Sequence, residues 1–491
     1  MELIGYGAAA GVVIHALLGL LMAALPQFRV AVLGLFFILP AASLLYAWRR
    51  GVWPAVFGRL ARATRRALLI WVLFLALCIA ITHLQVTYPV RLPDGMYVFK
   101  RHTLNVKIQY MTSLPCDNYI PFAVTEYLLR GISFREERPL LPNNEVSNRT
   151  ILMSLAALPF RASLGTAPAP KPLGKFRYVD QDWPDVERLN EDGYFQQFLI
   201  AGIFLNSLPL VGLLVLFSKL PARKVLIAGA FLYLTNPYLI SETIFTWPKA
   251  LAGFFILLAW NSLRSRHDPK LVALCLGLAY HSHPYAALFA VPMGFLYLWR
   301  WRNNETQFGQ VVGFVTVIFL SLLPWFLWTR IYLGIPSNLI AQNLIPPQGH
   351  SSLLDLLWVR LKNTTELLSP RFFEIYPFNA ALVVDNFVTC LPGAVGLFVI
   401  LPAFPGLSGV SAAVRWQIVL STAMILLVFS APALVVLHGF QPIVGMLLFL
   451  SLAWLSKTVS PKMFRILMTL QIVCNLGIIA LQGWLVDAHF S

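Results

Sequence analysis

Uninterrupted apolar runs recur from one end of this chain to the other, and no water-soluble fold can absorb them. Most lie near the roughly 20 residues that a helix needs to cross about 30 Å of hydrocarbon. Strands of an outer-membrane barrel are excluded, because they alternate between apolar and polar positions. Composition agrees: 58% of the 491 residues are hydrophobic and 12% are charged, with mean hydropathy +0.71.

The expected class is therefore an all-α polytopic membrane protein with about 13 transmembrane helices. The spans are Leu3–Leu25, Val30–Trp48, Ala67–Leu84, Phe198–Phe217, Val225–Leu239, Pro248–Leu263, Leu271–Tyr280, Tyr285–Trp299, Val311–Trp328, Ala380–Pro402, Trp416–Leu437, Pro442–Leu455 and Phe464–Val486. Leu271–Tyr280 is the shortest. The first span lacks a basic leader region and a small-residue cleavage site, so it reads as a retained helix.

Orientation follows from the basic residues, which collect in short cytoplasmic loops. The loop after the second span carries Arg49, Arg50, Arg59, Arg62, Arg65 and Arg66 and is assigned to the cytoplasm. Counting alternately from it, the turns at Lys219 to Lys224, Arg264 to Lys270, Arg300 and Arg302, Arg415, and Lys457 to Arg465 all fall on the same side. The N-terminus is then cytoplasmic. These positions hold 18 of the 37 basic residues, so the formal charge of +16 follows from topology and calls for no nucleic-acid partner.

Two long external segments interrupt the pattern, at about 85–197 and about 330–379 by the span boundaries. The first holds 12 of the 21 acidic residues beside 13 basic ones. Within it, residues 95–112 alternate and are rich in β-branched and aromatic residues, as in a strand pair or extended arm. Next, DNYIPFAVTEYLLRG predicts an interfacial helix with Asp117 as N-cap and Gly131 as stop, and residues 148–165 predict a second one. A Pro-rich linker at 166–174 and an acidic stretch lead into the fourth span. In the second segment, residues 351–370 predict a further interfacial helix.

The five cysteines are scattered, with Cys116 alone in the outer loop, and neither a disulfide framework nor a metal-ligand spacing is present. No metal site and no cofactor are expected. Asn148-Arg149-Thr150 matches an acceptor sequon by pattern.

An acid, an aromatic and an apolar helix ending in Leu-Leu-x-Gly, here Asp117, Tyr119, Leu128, Leu129 and Gly131, resemble the first external loop of the GT-C membrane glycosyltransferases. The likeness lies toward the protein mannosyltransferase and aminoarabinose transferase group. It covers 67–379, leaving 1–66 as two additional N-terminal helices with a basic loop and 380–491 as C-terminal helices. Many members carry two adjacent acids at this point, whereas Asn118 follows Asp117 here, and Asp94 in RLPDGMY is a competitor.

The resemblance implies an inverting transfer of a sugar from a polyprenyl-phosphate donor to a cell-envelope glycan, lipid or protein on the external face of a bacterial inner membrane. Asp117 would be the base that takes the acceptor proton. Cations would stabilise the departing lipid phosphate. Lys249, on the external side, breaks the positive-inside pattern, and His281, His283 and Arg330 stand on neighbouring external turns; all four are candidate donor-binding residues. The bland reading of Lys249 is a lysine lying along Trp247. Glu242 and Glu126 are candidate sugar-binding residues. Arg371 is a further external cation, Asp385 a candidate intramembrane charge, and Arg91, Lys100, Arg101 and Arg149 are unranked loop cations. A lipid-linked saccharide flippase or transporter, and an O-antigen polymerase or ligase, remain as alternatives.

Overall fold

The computed structural model describes residues 1–52, 62–83, 116–132, 149–165, 194–218, 223–334, 402–428 and 433–490, with a few isolated residues between them. Asp94, Arg91, Lys100, Arg101, Arg371, Asp385, the expected helix at 351–370, and the expected span at 380–402 except its last residue lie outside the described residues. The chain is an all-α membrane protein, and helices account for nearly all the described residues. A strand pair at 86–87 and 107–108 is antiparallel, with Val86 opposite Ile108, so part of the expected alternating segment does pair.

Among the described residues six helices are long and apolar enough to cross a membrane: Glu2–Ala24, Pro26–Arg49, Arg62–Ala80, Tyr194–Phe217, Phe308–Leu333 and Gly439–Thr458. Burial separates the centre from the rim. Tyr194–Phe217, here α6, is 83% buried, whereas Pro26–Arg49, which contains α2 (Arg29–Arg49), is 6% buried and leaves most of its apolar side chains exposed. Beside α6 stands α9 (Lys249–Arg264), enclosed from Lys249 to Leu263. The two helices interlock where Gly212 lets Leu257 approach closely, and α1 (Glu2–Ala24) joins them through Gly5, against Val215 and Leu258. Tyr6 hydrogen-bonds Ser262, 2.5 Å away, so α1 is built into this core.

Local signals set the ends. In α10 (Pro269–Ser282), Asp268 caps the helix by accepting from the Lys270 N–H at 2.9 Å, and Pro269 supplies a φ already suited to the first turn. Arg300 and Arg302 close α11 (Ala287–Arg302), where cations meet the negative end of the helix dipole. The remaining helices are α3 (Arg62–His83), α7 (Arg223–Thr235), α8 (Pro237–Ile244), α12 (Phe308–Phe326, extended by a π turn to Leu333), α13 (Ala412–Val428), α14 (Ala433–Thr458) and α15 (Pro461–Phe490). Between α7 and α8 the axis turns by 74°. The cause is local: Pro237 has no N–H to continue α7, and Asn236 caps the new helix by accepting from Leu239 N–H at 3.1 Å.

The two helices expected to lie flat on the surface, α4 (Cys116–Arg130) and α5 (Leu152–Ser163), are instead enclosed. From Ile120 to Tyr127 every residue of α4 is buried. The reason lies in the sequence, since IPFAV and YLL are apolar on all sides and Thr125 and Glu126 find partners inside. Behind them, Leu18 and Met22 of α1 and Val32 of α2 pack on Leu129, Leu158 and Ala162. At this crossing a Cβ built on Gly19 would lie 2.0 Å from the Leu155 carbonyl oxygen, which as backbone cannot yield. Gly19→Ala is therefore expected to destabilise the folded protein by about 1–3 kcal/mol, read as a lower thermal midpoint in detergent. Gly7→Ala, which meets nothing within 4 Å, serves as the control.

Candidate functional site

One short turn, Phe245 to Pro248, joins α8 to α9, and a single buried side chain from α6 holds it. The Asn206 amide donates to the carbonyls of Phe245 at 3.1 Å and Trp247 at 3.2 Å, with Glu242 O at 3.4 Å, and its oxygen accepts from Leu251 N–H at 3.3 Å. Because Asn206 lies near the middle of the 24-residue α6, the turn sits roughly 18 Å along that helix from Tyr194 at 1.5 Å per residue. Lys249 is thus recessed in the bundle and does not stand at the end of a full span. Consistent with that depth, α9 has 16 residues and reaches only about 24 Å, less than the hydrocarbon thickness.

Trp247 organises the recess. The Lys249 ammonium lies 3.6 Å from its ring centroid and the Arg149 guanidinium 5.3 Å, so one indole carries two cations. His283 meets the same ring edge-on at 5.5 Å. Both Lys249 and His283 are buried. The His283 Nδ1 accepts from the Tyr285 N–H at 3.2 Å, which places the proton of the neutral ring on Nε2 as a donor. Tyr285 in turn donates its hydroxyl to the Lys249 carbonyl at 2.9 Å, fixing the head of α9. Glu242 is buried close by, near enough to Tyr238, Tyr285 and Tyr233 to act on them electrostatically.

A narrow crevice opens beside these groups. Arg149, Trp247 and His283 line one part of it, and Ile120, Pro121 and Val124 of α4 line another. The N-terminal half of α4 therefore reaches the cationic recess through Ile120, Pro121 and Val124, and Asp117 is the second residue of that helix rather than its N-cap. Thr150 donates to the Ser282 carbonyl at 2.7 Å, so the hydroxyl of the sequon is already engaged and the segment at Arg149 is tied to the end of α10.

Three other expected site residues lie elsewhere. His281 pairs with the Ser321 carbonyl of α12 and turns away from the recess. Arg330 is exposed on the π turn. Glu126 is wholly buried, with Oε1 2.7 Å from Arg161 Nε and Oε2 accepting from Arg130 Nε at 3.0 Å. The carboxylate thus faces two arginines inside the bundle, away from the residues that line the crevice. Burial pushes the Glu126 carboxyl up from its ordinary value, while the Arg161 and Arg130 charges oppose that shift. Among the described residues no group of three His, Cys, Asp or Glu side chains is placed to share a metal ion.

Sequence reasoning did not single out Asn206 and left Arg149 unranked. An asparagine in the middle of an apolar run was the available signal for the first. Set beside family models, curated proteins and solved structures, the chain matches none of them.

Proposed function

We propose that this chain is a GT-C-like inverting glycosyltransferase that moves a sugar from a polyprenyl-phosphate donor to a cell-envelope glycan, lipid or protein. The observation that carries the reading is the crevice where Ile120, Pro121 and Val124 of α4 face Arg149, Trp247 and His283, with the Lys249 ammonium over the same Trp247 ring. Transfer needs a carboxylate at the acceptor hydroxyl and positive charge at the leaving phosphate. A recess with two cations on one indole, roofed by the helix of Asp117, offers both on a small scale. Asp117 takes the proton as the acceptor oxygen attacks the anomeric carbon, the bond from that carbon to the phosphate oxygen breaks, and Lys249, Arg149 and the His283 Nε2–H receive the lipid phosphate. Inversion follows from the single displacement.

In this reading the basic loops face the cytoplasm, about 13 spans cross a bacterial inner membrane, and the crevice opens to the periplasmic side. The bend between α7 and α8, with Glu242 buried beyond it, favours one competitor, since transporters build sites at broken helices. The discriminating experiment is mass analysis of envelope glycans and lipids from a deletion strain, paired with reconstituted vesicles. Loss of one sugar from a defined acceptor, restored by the wild-type gene, is the expected result. Movement of a lipid-linked saccharide across vesicles with no new glycosidic bond would overturn the enzyme in favour of the transporter.

A further inference from the structure

We infer that Glu126 and Arg161 are positioning residues: their buried contact sets the seat of α4 on α5, and with it the placement of Ile120, Pro121 and Val124, and of the turn that precedes them, at the cationic recess. The inference rests on the transferase reading. α5 grips α4 at two places. At Pro121 the carbonyl accepts from Ser154 Oγ of α5 at 2.9 Å and from Thr125 Oγ1 of α4 itself at 2.7 Å. Five residues further along, Glu126 meets Arg161 at 2.7 Å. Two grips more than a turn apart fix both the rotation of α4 and its sliding along its partner.

The second grip also reaches α6. The Arg161 guanidinium lies 3.6 Å from the ring centroid of Tyr194, the first residue of that helix, and Arg130 lies 5.5 Å from the same ring. α5 is therefore a spacer. Just before its first residue stand Arg149 and Thr150, at the recess, and in its last turn stands Arg161, at the ion pair. A shift of α4 on α5 changes the distance between the helix of the base and the cation Arg149.

The energetics separate this role from simple stabilisation. Arg161 is fully buried, and none of its three guanidinium nitrogens has a hydrogen-bond partner among the described residues. Buried ion pairs with incomplete hydrogen bonding are often no more stable than apolar pairs of like volume. Glu126 and Arg161 thus define a geometry at little or no gain in stability. An apolar replacement is expected to keep the fold and lose the placement.

The test uses the full chain in nanodiscs, as Glu126→Gln/Arg161→Met, in which the new amide oxygen still accepts from Arg130 Nε and Arg130, 9% exposed, keeps its place by the Tyr194 ring. Its thermal midpoint is expected to match or exceed that of the wild type. With undecaprenyl-phosphate sugar as donor, kcat is expected to fall about tenfold or more, while the donor KM changes little. Seating is read independently of activity. In a background with the native cysteines replaced by serine, Val124→Cys and Ser282→Cys flank the crevice, and cross-linking by a short bis-thiol reagent is expected to drop severalfold when the pair is removed. Wild-type kcat together with full cross-linking would overturn the inference, and so would a loss of kcat that only tracks loss of folded protein. Lys249→Met is the control that separates the two claims. If the wild type itself transfers no sugar, the transferase reading fails; if Lys249→Met abolishes transfer while the double variant does not, only the positioning role fails.

Discussion

Asp117→Asn is expected to abolish sugar transfer from a polyprenyl-phosphate donor while leaving expression and membrane insertion intact. A positioned general base contributes about 10²–10⁴-fold, and asparagine removes the proton acceptor at almost unchanged volume. Residue 117 lies in the first turn of α4, away from the buried contacts at Pro121 and Glu126 that hold the helix, so the substitution does not disturb the fold. A negative side chain in the first turn of a helix is also favoured by the helix dipole. Labelled donor incubated with membranes containing Asp117→Asn, Asp94→Asn or wild type is the direct measurement. Retained transfer in Asp117→Asn with loss in Asp94→Asn would move the base to Asp94.

Much of the membrane architecture was legible in the sequence because its causes are local. Apolar run length predicts helices, and signals such as Asp268-Pro269 mark where they start. Lys249 stood out as well, because it departs from the charge pattern expected from the loops, and its place along Trp247 was one of the two readings it carried. Its depth was not, because that depends on Asn206, more than forty residues earlier in the chain, holding the turn backbone. Glu126 shows the same limit. Its partner Arg130 is a readable helical i,i+4 neighbour, but Arg161 lies on another helix, and their meeting inside the bundle could not be read from the sequence. The enclosure of α4 was missed for a related reason: the apolar spacing of one face was visible, while the cover supplied by α1, α2 and α5 was not.

Removing charge from the recess is the second large effect expected, and it separates a phosphate site from a lysine merely lying along a tryptophan. In the bland reading Lys249 exists to cover Trp247, so methionine, which keeps the apolar stem, should be silent in function. In the phosphate reading the ammonium and the Arg149 guanidinium face a group whose negative charge grows as the glycosidic bond to phosphate breaks. They then bind the departing phosphate more strongly than the intact donor, and this difference is what accelerates the reaction. Lys249→Met is expected to lower kcat/KM by about 10²–10³-fold, and Lys249→Met/Arg149→Gln further. Because both cations share one indole, their effects are coupled, and the double variant should lose less than the product of the single losses. Inhibition by undecaprenyl phosphate gives a second reading from the product side. Both variants should need more of it to reach half-inhibition than Gly7→Ala, whose position meets no neighbour. Unchanged inhibition in Lys249→Met would return that lysine to the role of packing partner.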